Sequence, residues 1–183
     1  MASYKPIKIT KKGMALMGKV ISGATGIRFT KLQASETQYK DSVIESLTSL
    51  SGVKQTTMIS KITRQSDGSV MVTGVFDNKG LPAPGYYMRT IGIFATDPDE
   101  GEILYAVMSA ETTNFMPPDN GKSYSSVTMN LSISVGNSDA VSVTVSGSAF
   151  ATVEQLSDLD NKYKEKTSVY FTQEDDGIYV NYD

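Results

Sequence analysis

The chain contains no cysteine and no histidine. Without cysteine there is no disulfide framework, no thiol nucleophile and no thiolate metal site. Without histidine the Ser-His-Asp triad is excluded, and so is the usual transition-metal ligand. Catalysis would fall to carboxylates, lysine, tyrosine or serine, as it does in glycosidases. The expectation is a protein that is not an enzyme and that takes no cofactor and no metal. No run approaches the ~18 apolar residues of a spanning helix. Met1-Ala2-Ser3-Tyr4-Lys5-Pro6 lacks the apolar core of a signal peptide. Synthesis in a cytoplasm, with no export by the usual route, is therefore expected. No basic stripe is present, the net charge is −3 and the pI is about 5.0. Neither nucleic acid nor a membrane is an expected partner.

What is present suits a packed chain. It has 183 residues, 39% hydrophobic and 20% charged, enough for one domain of ordinary size plus an appendage. One stretch organises the rest: Gly85-Tyr86-Tyr87-Met88-Arg89-Thr90-Ile91-Gly92-Ile93-Phe94-Ala95, an acidic turn with Pro98 and Gly101, then Glu102-Ile103-Leu104-Tyr105-Ala106-Val107. It reads as two strands rich in Ile, Tyr, Phe and Val. Ile91, Ile93 and Ala95 fall on one face, Gly92 and Phe94 on the other. A strand apolar on both faces belongs in the middle of a sheet with cover on both sides.

The spacing of Met14, Met17 and Ile21, with Leu16 and Val20 beside them, predicts a helix over 11–21 packed on its own sheet. The alternative use of the two methionines is a soft partner-binding face. Ile27, Phe29 and Lys31 alternate with Arg28 and Thr30, which predicts a strand over 27–34. Ser42 and Glu45 form a capping-box pattern, and Val43, Leu47 and Leu50 follow at helical spacing. A second helix over 43–51 is expected, stopped by Gly52. Strands over 54–65 and 69–77 flank the turn signal Ser66-Asp67-Gly68. Phe115 and Met116 precede two prolines and are expected to plug the end of the fold, with a docking knob as the alternative. Val127, Met129, Leu131, Ile133 and Val135 alternate with polar residues, and Val141, Val143 and Val145 do the same. These predict a half-buried antiparallel hairpin.

Near Phe150 the character changes. Residues 153–166 read as a helix with i,i+4 pairs Asp158–Lys162 and Asp160–Lys164. Its apolar face is narrow: Leu156, Leu159 and Tyr163, the seam of a coiled coil. A last hairpin is expected from Val169, Tyr170 and Phe171 against Ile178, Tyr179 and Val180. A lone short helix and a two-stranded hairpin are both marginal alone. Self-association through Leu156, Leu159, Tyr163, Val169, Phe171, Ile178 and Val180 relieves both.

Two acidic clusters are candidate calcium sites: Asp97, Asp99, Glu100 and Glu102, and Glu174, Asp175 and Asp176. Neither has calcium-loop spacing, and solvated turns are expected. Tyr86, Tyr87 and Tyr105 are candidates for a sugar platform, although adjacent strand positions read first as core and rim.

The central hairpin resembles the signature of phage tail-fibre and baseplate upper proteins, in the version of Gram-positive phages and phage-derived particles. Ile9-Thr10-Lys11-Lys12-Gly13-Met14-Ala15-Leu16, Phe29-Thr30-Lys31-Leu32, Phe115-Met116-Pro117-Pro118 and Phe150-Ala151-Thr152 agree in order. The resemblance implies a tail-attachment domain, a trimerising helix and no catalysis. The reading as a whole is mainly β (α+β): an antiparallel β-sandwich over 1–150 with two short N-terminal helices, a coiled-coil-like trimerisation helix over 151–167, and a hairpin over 168–183. The expected function is a structural virion protein of the tail, a homotrimeric adaptor that attaches receptor-binding protein among other tail and baseplate proteins. The alternatives are a carbohydrate-binding module contacting the host cell wall and a histidine-free glycan hydrolase.

Overall fold

The structure is a computed structural model; it describes residues 3–66, 68–134, 169–174 and 177–182. The chain forms two compact units, Met1–Ala149 and Phe150–Asp183.

The first unit is mainly β. Its strands are β1 (Ser3–Tyr4), β2 (Lys8–Ile9), β3 (Arg28–Ser35), β4 (Val53–Arg64), β5 (Ser69–Asp77), β6 (Tyr86–Asp97), β7 (Gly101–Met116) and β8 (Ser126–Ser134). They form one antiparallel sheet in the order β1-β7-β6-β3-β4-β5-β8, with β2 also on β7. The sheet curls because β4 changes partners along its length. Its first half pairs with β3, ending at Lys31↔Met58. Its second half pairs with β5, beginning at Ile59↔Gly74. The register shift near Ser60 bends the strand, as an extra residue in one strand of a pair does. The buried Ser60 hydroxyl donates to the Thr73 carbonyl at 3.1 Å across that bend. As a result β5 and β8 share one core with β3, β6 and β7: Phe76, Val72, Leu131 and Ile133 pack in the same cluster as Phe29, Ile91, Ile93 and Tyr105.

β6 lies between β7 and β3, so the central hairpin is central in fact. Ile91, Ile93 and Ala95 face the main core. Phe94, with Leu104 and Val107 of β7, faces a second cluster built with Ile44 and Leu50. A Cβ on Gly92 would stand 2.7 Å from Leu50 Cδ1 and 2.9 Å from Leu104 Cδ1, so a side chain there would push both leucines aside.

Helix α1 (Lys11–Ile21) has the expected bounds but a different buried face. The buried residues are Gly13, Leu16 and Val20, while Met14 and Ile21 are exposed. The reason is Gly13, whose Cα side lies against the Tyr105 carbonyl; a Cβ there would be 2.1 Å from that oxygen. This close approach sets the rotation, which turns Met14 and Ile21 of the expected stripe outward and leaves Met17 partly buried against the core. Thr10 caps the helix, its hydroxyl accepting from Gly13 N–H at 3.0 Å while donating to the Leu104 carbonyl at 2.6 Å. At the other end Gly23, φ 76°, closes a Schellman motif: Ala24 N–H donates to the Lys19 carbonyl and Gly23 N–H to that of Val20.

Three other expectations need correction. The second helix is only Asp41–Ile44 (α2), not 43–51; its cap position is Lys40, with no side-chain cap bond, not Ser42. Tertiary bonds claim the groups a longer helix would use. The Glu45 carbonyl accepts from Lys11 N–H at 2.7 Å, and the Tyr39 hydroxyl accepts from Ser51 N–H at 2.6 Å. The chain then extends far enough to lay Leu50 over Phe94 and Leu104. On β3 a register shift between Phe29 and Leu32 puts Leu32, not Lys31, into the core. At the end of β7 Met116 is buried as a plug, but Phe115 is exposed. β8 follows its pattern, with Met129, Leu131 and Ile133 buried. Val135, the partner run Val141 to Val145 and the helix over 153–166 lie outside the described residues.

The second unit is described at a hairpin, β9 (Val169–Glu174) and β10 (Gly177–Tyr182). Its register sets Phe171 opposite Val180 and Ile178 opposite Gln173.

The two glycines of α1 make the docking testable. Gly18→Ala should stabilise the protein by about 0.5–1 kcal/mol, since alanine loses less backbone entropy and nothing lies within 4 Å of the new methyl. Gly13→Ala should destabilise it by about 1–3 kcal/mol through overpacking against backbone. Ile93→Ala should cost about 2–5 kcal/mol, as for any fully buried aliphatic residue. Urea unfolding reads all three, and a stabilising Gly13→Ala would overturn the docking of α1.

Candidate functional site

The outer face of β6 is covered from Thr90 onward and bare before it. Thr90 Oγ donates to the Thr37 carbonyl at 2.7 Å, which ties down the start of the covering segment. Upstream, β6 alternates: Tyr86 and Met88 are buried, Tyr87 and Arg89 exposed. Tyr87 lies opposite Phe115 in the β6–β7 ladder. Their rings are 5.0 Å apart at 54°, and both side chains are about half exposed (51% and 48%). Gly85, φ 83°, forms the floor; a Cβ there would lie 2.4 Å from the Met116 carbonyl and 3.1 Å from Phe115 Cζ. The Phe115 ring thus rests on backbone and on Tyr87, which fixes its position.

The result is an open groove of about 410 Å³, lined by Pro84, Tyr87, Arg89, Phe115 and Glu36. Glu36 pairs with Lys54 at 3.0 Å. Arg89 has no ion-pair partner among the described residues. Two rigid aromatic faces, a free guanidinium and a carboxylate offer stacking and charge-assisted hydrogen bonds, and nothing nucleophilic.

Of the three candidate platform tyrosines, only Tyr87 is exposed. Tyr86 is buried, donates to Gln55 Oε1 at 2.7 Å, and has its pKa pushed far up by burial and, secondarily, by Tyr4. Tyr105 is fully buried, edge-on to Phe29 at 5.3 Å, and burial pushes its hydroxyl up to about 12. Phe115 carries no sequence signal that pairs it with Tyr87. A plain count back from Asp97↔Gly101 pairs Tyr87 with Glu111, and the shifts along β7 bring Phe115 there instead.

A smaller groove of about 260 Å³ lies between the 78–81 and 119–124 loops. Its carboxylate, Asp119, accepts from Gly80 N–H and Gly121 N–H at 2.8 Å each, and these bonds hold it below the usual aspartate range. That carboxylate is spent on loop geometry.

In the first acidic cluster Asp99, Glu100 and Glu102 are exposed, as expected of a solvated turn, and Asp97 is buried; all four are paired with lysines. Asp97 is 3% exposed and accepts from Lys19 Nζ at 2.7 and 2.8 Å and from Asp99 N–H at 2.8 Å. Lys19 also reaches Asp99 at 2.8 Å; Lys12 pairs with Glu100 and Lys31 with Glu102. The Lys19 hydrogen bond holds Asp97 low against its burial, with the Asp99 and Glu100 amides assisting. Burial alone would raise Glu102, and the Lys31 and Thr30 bonds outweigh it. Among the described residues no group of three or more acidic, histidine or cysteine residues is placed to hold a metal ion. Glu174 ends β9, and Asp175 and Asp176 lie outside the described residues. Of the association residues, Leu156, Leu159 and Tyr163 lie outside the described residues. Val169 and Phe171 fall on β9, Ile178 and Val180 on β10.

The Lys19–Asp97 pair predicts an acid-labile latch between α1 and the β6–β7 turn. Asp97 titrates lower in the folded than in the unfolded protein. Its stabilisation is therefore present above the ordinary aspartate pKa of 3.8 and lost as pH falls through the lower folded value. Melting temperature should drop below pH 3.8 in the wild type, and Asp97→Asn should remove part of that drop while lowering the plateau at neutral pH. Parallel curves for the two proteins would show that the pair does not contribute.

No family model matches this chain, and no curated protein or solved structure is significantly similar to it.

Proposed function

We propose that this chain is a structural, non-catalytic protein of a phage tail, an adaptor in the baseplate or fibre that holds receptor-binding protein on the particle. The observation that carries this reading is the convergence of three of the resembling stretches, 9–16, 29–32 and the central hairpin, on one point. Thr10 N–H and Oγ bond the carbonyls of Tyr105 and Leu104, Gly13 lies against Tyr105, and Phe29 meets the Tyr105 ring edge-on. Segments far apart in sequence thus build one rigid centre, and the carboxylates nearby are paired with lysines rather than free for chemistry.

The finer architecture in this reading is a β-sandwich over 1–150, its two layers joined where β4 changes partners at Ser60. A coiled-coil-like helix over 151–167 follows. Three copies meet through Leu156, Leu159 and Tyr163, and the terminal hairpins pack Val169, Phe171, Ile178 and Val180 about the same axis. The partners are a homotrimer's other copies, further tail proteins and the receptor-binding protein. The place of action is the virion tail after synthesis in the bacterial cytoplasm.

A second reading, recognition of a host saccharide, is favoured by the exposed Tyr87–Phe115 pair. Aromatic rings half open to water offer flat faces on which the C–H side of a sugar ring can stack, and the arginine beside them can hydrogen-bond its polar groups.

Light scattering separates the outcomes. The full chain should run near three times its 19.8 kDa at micromolar concentration, and a version ending at Phe150 should fall to one. A full-length monomer would overturn the trimer. Equal trimer in both versions would move the interface onto the β-rich unit. Copurification with tail proteins tests the adaptor role itself.

A further inference from the structure

We propose that the Tyr87–Phe115 groove binds a saccharide carrying an acidic group, with one sugar ring stacked on the aromatic pair and the acid held by Arg89. This deepens the saccharide reading above and rests on it. Four observations on this groove carry it.

The first is exposure directly beside buried neighbours. Tyr86, Met88 and Met116, the immediate neighbours, are 3% exposed or less, yet Tyr87 and Phe115 are half open to water. The second is rigidity. Each ring is held by the other at 5.0 Å, and Phe115 is backed by Gly85. A ligand that stacks here orders little that is not already ordered, so less of its contact energy is lost on binding.

The third is charge. Arg89 stands two residues from Tyr87 on the same outward face, and no carboxylate among the described residues neutralises it. Guanidinium matches carboxylate and phosphate oxygens in a bidentate fork. Glu36, across the groove, is already paired with Lys54, so it can accept from sugar hydroxyls without confronting the ligand's acid. The fourth is size. A volume of about 410 Å³ lies in the range of small-ligand sites and admits one or two sugar rings.

The ligand's acid can be a uronate carboxylate or a phosphate ester; both present two oxygens to a guanidinium. A bare hydrophobic peptide would leave Arg89 unused.

Calorimetric titration of the full chain decides this, using tetragalacturonate, a phosphorylated mannan fragment and neutral cellotetraose as probes. At least one acidic probe should bind saturably and about tenfold more tightly than cellotetraose. Tyr87→Ala and Phe115→Ala should each weaken binding about tenfold at unchanged melting temperature. Arg89→Gln should abolish the preference for acid while leaving neutral binding as it was. Equal binding of acidic and neutral probes, insensitive to Arg89→Gln, would overturn the acidic class and leave saccharide recognition standing. No saturable binding by any probe would overturn both. Concentration-dependent self-association that Phe115→Ala removes would assign the face to a second copy and overturn the proposal. The two acidic probes tell carboxylate from phosphate.

Discussion

The structure depends on β6 being buried on both faces. A strand with Ile91, Ile93 and Ala95 on one side and Gly92 and Phe94 on the other leaves neither side for water. Each face needs its own cover, and most of the other features follow from supplying the two. On one side the sheet curls at Ser60, bringing β5 and β8 into the core that β3, β6 and β7 line, with α1 laid alongside. On the other side residues 39–50 are drawn down until Ile44 and Leu50 meet Phe94 and Leu104. Burying a large aliphatic or aromatic side chain is worth about 1.5–3 kcal/mol. That exceeds what one more turn of helix would contribute, so the covering segment follows the sheet rather than its own helical spacing.

This competition explains which features are legible in the sequence. Elements whose pattern is set by a single period are readable: α1 from 11 to 21, the hairpin closed at Gly68, the alternation of β8, and the apolar run of β6. Failures occur where one contact overrides a period. The helix expected over 43–51 has good spacing, but Glu45 and Ser51 give their backbone groups to Lys11 and Tyr39. The face of α1 is misread because hydrophobicity points to Met14 and Ile21, whereas Gly13 decides through the space it does not fill. A glycine that matters for its missing Cβ looks, in sequence, like one that matters for nothing, and Gly18 is of that second kind.

Register is the other source of blindness, and it governs the candidate site. Tyr87 is legible as a strand tyrosine and therefore as an ordinary rim residue. Its meaning changes only with Phe115 opposite, and that pairing depends on the irregularities along β7. The same holds for β3, where one shift exchanges Lys31 for Leu32 in the core and leaves Lys31 free to pair with Glu102 over the Phe94 ring. A bulge rewrites the side-chain parity of all that follows it, and no residue type announces one.

The groove is where the two-faced constraint ends. From Thr90 to Asp97 the outer face of β6 is covered; at Thr90 the hydrogen bond to Thr37 marks the limit, and upstream the cover is gone. A chain selected only for burial would place polar residues at the next outward positions. This one places Tyr87 and, across the ladder, Phe115, and follows them with an unneutralised arginine. The fold also spends a glycine with φ 83° to seat the Phe115 ring against backbone. Aromatic exposure alone is common on protein surfaces. Two rings held rigid in mutual contact, at the edge of a core that had the means to bury them, make a surface shaped for something outside the described chain.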